Sequence, residues 1–255
     1  MTKKQKVIAL IAFVLIIVLI ALICVSLQNK RDSGTTDDTR TSAAPSESLE
    51  PTPEPTPTPL QFTTAPEGYF NDALFIGDSR MVGIQMMETI DGATFFTTVG
   101  LSLTGAMSTS ADVSGVGTTT LPALLQSRQF GKVYVMLGIN ELGWYNLDKF
   151  IEYYGNIVDL LRETHPEAQI YIISILPVGA TATARQEMLN NDRVQMFNER
   201  IQGMCSEKQV YFVNGFEALA VNGSLPDDAS PDGVHMQPSY CHKLTDYLLT
   251  HTVSA

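Results

Sequence analysis

The stretch ALFIGDSRMVGIQMM, Ala73 to Met87, decides the fold. An apolar run that reads as a buried strand ends in Gly77-Asp78-Ser79, and a helix-like spacing of apolar residues starts directly behind the serine. A strand-to-helix turn leaves backbone N–H groups unpaired at the helix N-terminus, so a serine placed there sits beside an anion site. Ser79 is then either a helix cap or a nucleophile with an oxyanion hole beside it.

Toward the C-terminus, short β-like runs alternate with helical patterns, which predicts an α/β fold with a parallel sheet covered by helices on both faces. The strands are read at ALFIGDS, ATFFTTVG (Ala93 to Gly100), KVYVMLGIN (Lys132 to Asn140), QIYIISILPV (Gln169 to Val178) and QVYFVNGF (Gln209 to Phe216). Helical spacing joins Phe150, Ile151, Tyr154, Ile157, Val158 and Leu161, and Pro166 ends that helix. Val194, Phe197, Ile201 and Met204 repeat the pattern, and Cys241, Leu244 and Leu248 close the fold. Ligands of open α/β sheets bind beyond the C-terminal strand ends. The residues there are polar or glycine: Gly77-Asp78-Ser79, Gly100 and Gly138-Ile139-Asn140.

Toward the N-terminus the chain changes character. Residues 1–6 are basic, and 7–27 hold an unbroken apolar run of about the ~20 residues a membrane helix needs. Lys3, Lys4 and Lys6 precede it, whereas Lys30 and Arg31 are diluted by Asp32, Asp37 and Asp38, which sets the N-terminus in the cytoplasm and the rest outside. The apolar run exceeds a usual signal-peptide core and no small-x-small site closes it, so an uncleaved signal-anchor is expected. Residues 28–66, with PTPEPTPTP at Pro51 to Pro59, have the composition of a disordered, polyproline-rich linker. At ~3.1 Å per residue, thirty such residues reach roughly 90 Å. Residues 67–255 form the globular domain.

The chain carries 16 basic and 27 acidic residues; six of each precede residue 67, so the globular part has ten basic and twenty-one acidic, and holds the whole net charge of −11. That balance disfavours nucleic acid and other polyanions as partners and favours a neutral substrate. Cys205 and Cys241 fall on helical apolar patterns and are expected as buried thiols. The four histidines show no metal-ligand spacing, and neither metal nor cofactor is expected.

The second half of the site is read in SPDGVHMQPSYCHKL, where Asp232 and His235 stand three apart in a loop before the last helix. A carboxylate that close can orient an imidazole and stabilise its protonated form when it takes a serine proton. Asn140 offers an amide donor at the end of the third strand, and the backbone N–H groups of Ser79 and Gly100 complete a set of three, each typically worth ~2.7 to 4 kcal/mol toward an oxyanion.

These blocks, in this order, resemble the SGNH/GDSL hydrolase family over residues 70–250. The resemblance implies a flavodoxin-like three-layer αβα sandwich with a five-stranded parallel sheet and no cofactor. It also implies Ser79 as nucleophile, His235 as base, Asp232 as its orienting acid, and Ser79, Gly100 and Asn140 as oxyanion donors. Gly105 is the alternative to Gly100. Two residues depart from the family pattern: Arg80 stands where Leu is usual, and Glu141 where Asp is common. Arg80 in the first turn opposes the helix dipole unless paired. A pair between Arg80 and Glu141 on the substrate side is therefore expected, with Trp144 and Tyr145 as an aromatic wall for a sugar ring.

The function expected is a membrane-tethered extracellular serine esterase acting on O-acetylated cell-wall or capsular carbohydrate. A lysophospholipase or thioesterase, an O-acyltransferase and a carbohydrate-binding module on the same fold are the alternatives.

Overall fold

The computed structural model describes residues 62–87 and 89–253. The membrane segment at 7–27 and all but the end of the linker lie outside the described residues. Among the described residues no helix is long and apolar enough to cross a membrane. The linker was drawn to residue 66, but residues 62–66 belong to the fold. Thr63 forms an antiparallel bridge with Thr252, Ala65 N–H donates to Leu249 C=O at 2.6 Å, and the Phe62 ring lies 5.1 Å from that of His251.

Five strands make one parallel sheet: β1 (Ala73–Gly77), β2 (Thr94–Thr97), β5 (Lys132–Met136), β6 (Gln169–Ile173) and β7 (Tyr211–Val213), in the spatial order β2-β1-β5-β6-β7. All five residues of β1 are buried, because it has a strand on each edge and helices on each face. The period of two then sorts its side chains. Leu74 and Ile76 enter one core with α2 (Leu121–Ser127), α3 (Leu147–Thr164) and α5 (Asn191–Glu207). Ala73 and Phe75 enter the other with α1 (Ser79–Met86), α6 (Gly215–Leu219) and α7 (Pro238–Thr250). Three layers result, as the alternation of patterns implied. Cys205 and Cys241 are free thiols, one in each core.

Strand register builds a row of rings across the second face: Phe95, Phe75, Tyr134, Tyr171 and Tyr211, one from each strand. Adjacent centroids lie 5.3, 4.7, 4.4 and 5.1 Å apart, in the stacking range. The Tyr171 hydroxyl meets Tyr69 Oη at 2.8 Å, donates to Gln169 and accepts the Val253 N–H. The Tyr134 hydroxyl is buried without a hydrogen-bond partner among the described residues.

A hairpin of β3 (Ser110–Val113) and β4 (Gly117–Thr120) was not expected. Its strands are four residues each, β3 with only Ala111 and Val113 apolar and β4 made of Gly and Thr, so they read as loop. The short helix α4 (Ala180–Arg185) carries one buried residue, Ala182, too little for a periodic signal.

The ring row makes a stability prediction. Tyr134→Phe removes an unpaired hydroxyl and is expected to leave stability unchanged or raise it. Tyr171→Phe leaves the Val253 N–H without its acceptor, while the Tyr69 hydroxyl keeps Gln169, and is expected to cost about 1 to 2 kcal/mol in chemical denaturation.

Candidate active site

The turn after β1 is tightly built. A methyl group on Gly77 would lie 2.4 Å from Cβ of Met81 and 3.1 Å from the Met136 carbonyl, so only glycine fits between the strand and α1. Asp78, with extended backbone, is the helix cap: its Oδ1 accepts the Arg80 N–H at 2.9 Å. The capping reading of Ser79 is thereby displaced, and its hydroxyl is free for other work. Burial raises the Asp78 pKa to about 6 against the opposing pull of the Arg80 N–H, the Arg80 charge and His235.

Ser79 Oγ lies 2.9 Å from His235 Nε2, and His235 Nδ1 lies 2.6 Å from Asp232 Oδ2. The other oxygen of Asp232 accepts the Ser230 hydroxyl at 3.0 Å and the N–H groups of Val234 and His235 at 2.8 Å each. Partial burial pushes the Asp232 pKa upward, but the His235 ring and these donors outweigh it and hold the carboxyl below the usual range. Asp232 is thus a carboxylate at any working pH, which places the imidazole proton on Nδ1 and leaves Nε2 to accept from Ser79. The His235 side chain is 54% exposed, so this chain of groups opens directly to solvent.

Sheet order brings the oxyanion candidates together. Gly100 follows β2 and Asn140 follows β5, the two neighbours of β1. Gly100 has φ of +75°, which suits glycine, and it is exposed. Neither its N–H nor that of Ser79 bonds to another described group. Asn140 is exposed in a 3₁₀ turn, Ile139–Glu141, and its Nδ2 donates one hydrogen to the Leu101 carbonyl at 2.9 Å, leaving a second for a ligand. Gly105 is not equivalent, since its N–H donates to the Ser102 carbonyl and hydroxyl.

Arg80 and Glu141 do not pair, and both are buried. Arg80 is 2% exposed, with Nη1 donating to Leu176 C=O at 2.8 Å and Nη2 to Pro177 C=O at 3.3 Å. Burial lowers its pKa to about 10, with Asp78 and Asp232 acting the other way. The charge that opposes the helix dipole is met at Nη1 and Nη2 by loop carbonyls beyond β6, contacts no spacing rule could show, while Nε is buried with no hydrogen-bond partner among the described residues. Glu141 is 1% exposed and accepts the Leu103 N–H at 2.9 Å. Trp144 is also misplaced as a wall. Its ring is half-buried, edge-on to Tyr153, and its carbonyl receives Arg193 Nη2, while Tyr145 beside it is 88% exposed. Asp78 and Ser230 were missed as members of the site. The signal for Asp78 was its position directly before the first helical residue.

A cavity of about 1080 Å³, lined by Tyr69, Lys132, Gln169 and Tyr211 among others, lies at the N-terminal edge of the sheet, remote from Ser79. The chemistry sits instead on an open surface at the opposite edge.

A serine bonded to a carboxylate-oriented imidazole, beside amides with free hydrogens, is the equipment of a serine ester hydrolase. The GDSL-like lipase/acylhydrolase family profile matches residues 75–239, well over half of the chain, and the chain belongs to that family. Among curated proteins none matches the sequence. Solved structures share the fold at low identity. One, from Streptococcus pneumonia and named for platelet activating factor, is 22% identical, with TM-score 0.56 over 69% of this chain and 81% of that one. A GDSL-like lipase from Bacteroides thetaiotaomicron is 18% identical, with TM-score 0.53 over 70% and 85%. A carbohydrate acetylesterase from Sinorhizobium meliloti is 15% identical, with TM-score 0.50 over 69% and 95%.

The pKa of Asp78 gives a pH prediction. Its folded value, about 6, lies above the unfolded 3.8, so the stability it lends is full below 3.8 and lost as pH rises through 6. Asp232 has the opposite sign, its contribution being present above 3.8 and lost on acidification. Asp78→Asn, which can still cap α1, is expected to remove a decline of up to about 3 kcal/mol between pH 4 and pH 7. Urea titrations of both proteins across that range measure it.

Proposed function

We propose that the chain removes small acyl groups, acetyl foremost, from cell-wall or capsular carbohydrate, with Ser79 as nucleophile, His235 as general base and acid, and Asp232 as the orienting carboxylate. The observation that carries this reading is the unbroken path from Asp232 through His235 to Ser79 Oγ, with contacts of 2.6 and 2.9 Å.

In the first step His235 Nε2 takes the Ser79 proton while Oγ forms a bond to the acyl carbon. The carbonyl oxygen becomes an oxyanion and accepts from the N–H groups of Ser79 and Gly100 and the second hydrogen of Asn140 Nδ2. His235 then returns its proton to the departing sugar oxygen as the carbon–oxygen bond breaks, which leaves an acyl-serine. Water, deprotonated by the same imidazole, attacks that ester and releases the acid and free Ser79.

The choice of a polymeric substrate rests on the exposure of His235 and Asn140, since an open site admits an acyl group projecting from a large molecule. The acidic domain agrees with a neutral glycan. The reaction named for the Sinorhizobium meliloti neighbour is of the same kind. The apolar segment at 7–27 and its basic flank support an extracellular address at the end of the linker.

The test is hydrolysis of p-nitrophenyl acetate, p-nitrophenyl palmitate and acetylated xylan by the full-length protein in detergent. Wild type is expected to prefer the acetyl esters. Ser79→Ala and His235→Ala, at unchanged melting temperature, are expected to lose about 10⁶-fold in kcat, and Asp232→Asn about 10⁴-fold. Faster turnover of palmitate would move the assignment to a lipid acylhydrolase. Acetyl transfer to an added xylo-oligosaccharide would make it a transferase.

A further inference from the structure

Asn140 and Glu141, consecutive in one turn, grip a single loop. Asn140 Nδ2 donates to the Leu101 carbonyl and Glu141 Oε1 accepts the Leu103 N–H, both at 2.9 Å. Nearer β2 the loop is tied by the Thr98 N–H to the Gly77 carbonyl at 3.3 Å, and turned by the Leu101 N–H to the Thr98 carbonyl at 3.2 Å. Gly100 therefore sits in a segment anchored at 98, 101 and 103, and of those anchors only the one at 103 is made by an ionisable side chain.

The Glu141 carboxyl is costly where it stands. It is 1% exposed, and Oε2 is buried with no hydrogen-bond partner among the described residues. Burial raises its pKa to about 7, the Leu103 N–H opposes that rise, and the Asp78 charge adds to it. The Tyr154 hydroxyl, also buried and unpartnered, is the other titratable group that interacts with it. An apolar residue of similar size would avoid the desolvation cost, so a buried acid here needs a compensating role.

We propose that Glu141 is a positioning residue of the oxyanion hole: through the Leu103 N–H it holds the loop so that the Gly100 N–H points at the developing oxyanion. It acts on kcat without touching substrate. The inference rests on the serine-esterase reading of Ser79, and it gives the departure from the usual Asp a function. The longer side chain reaches back from the β5 turn to the loop that follows β2.

The test compares Glu141→Leu, Glu141→Gln and Ser79→Ala in the full-length protein on p-nitrophenyl acetate, with melting temperatures in parallel. Glu141→Leu, which cannot accept the Leu103 N–H, is expected to lose about 10- to 100-fold in kcat with KM within about twofold, somewhat less than deletion of a whole oxyanion donor. Glu141→Gln keeps an acceptor oxygen and is expected to stay within about threefold of wild type. Wild-type kcat in a Glu141→Leu variant of unchanged melting temperature would overturn the proposal, as would equal losses in the Leu and Gln variants. Full activity in Ser79→Ala would instead defeat the serine reading itself, so the two failures are separable.

Discussion

Parallel pairing of β1 with a strand on each side is the constraint on which the site depends. In a sheet with order β2-β1-β5-β6-β7 the chain leaves β1 to one side and returns on the other, which opens a crevice at the C-terminal ends of the three strands. Ser79, Gly100 and Asn140 are far apart in sequence, but each is within a few residues of one of those ends. Their juxtaposition is a property of strand order. The ring row from Phe95 to Tyr211 and the alternating aliphatic residues on the other face hold that order rigidly.

Charges are buried beneath this edge in a way a purely structural turn would avoid. Asp78, Arg80 and Glu141 are each at most 2% exposed, and each directs its charge at backbone rather than at an opposite charge within ion-pair distance. Asp78 caps α1, Arg80 ties α1 to the segment after β6, and Glu141 ties the β5 turn to the loop after β2. Charge-assisted bonds to backbone are the strong kind, and they cost desolvation that neutral side chains would not. Their common effect is to fix loops, which otherwise carry the highest mobility in a fold of this type, around a reacting serine.

Much of the fold was legible because its signals are local. Each strand of the main sheet is a short run of apolar and β-branched or aromatic residues, and α3, α5 and α7 bury periodic faces, so pattern alone locates them. The hairpin at Ser110–Thr120 escaped because β3 alternates over only four residues, with small Ala111 as one of its two apolar side chains, and β4 has no apolar side chain at all. The end of the linker was misdrawn for a similar reason. Thr63 and Ala65 are held by backbone bonds to Thr252 and Leu249, which side-chain composition does not report.

By itself the sequence determined the α/β class, the order of the site blocks and the identities of Ser79, Gly100, Asn140, Asp232 and His235 as candidates, because each lies in a motif readable over a few residues. Only the tertiary structure decided where Arg80 and Glu141 direct their charges, and which aromatic of Trp144 and Tyr145 is open. Those outcomes depend on hydrogen bonds between residues 38 to 97 positions apart and on burial, neither of which leaves a periodic trace in the chain.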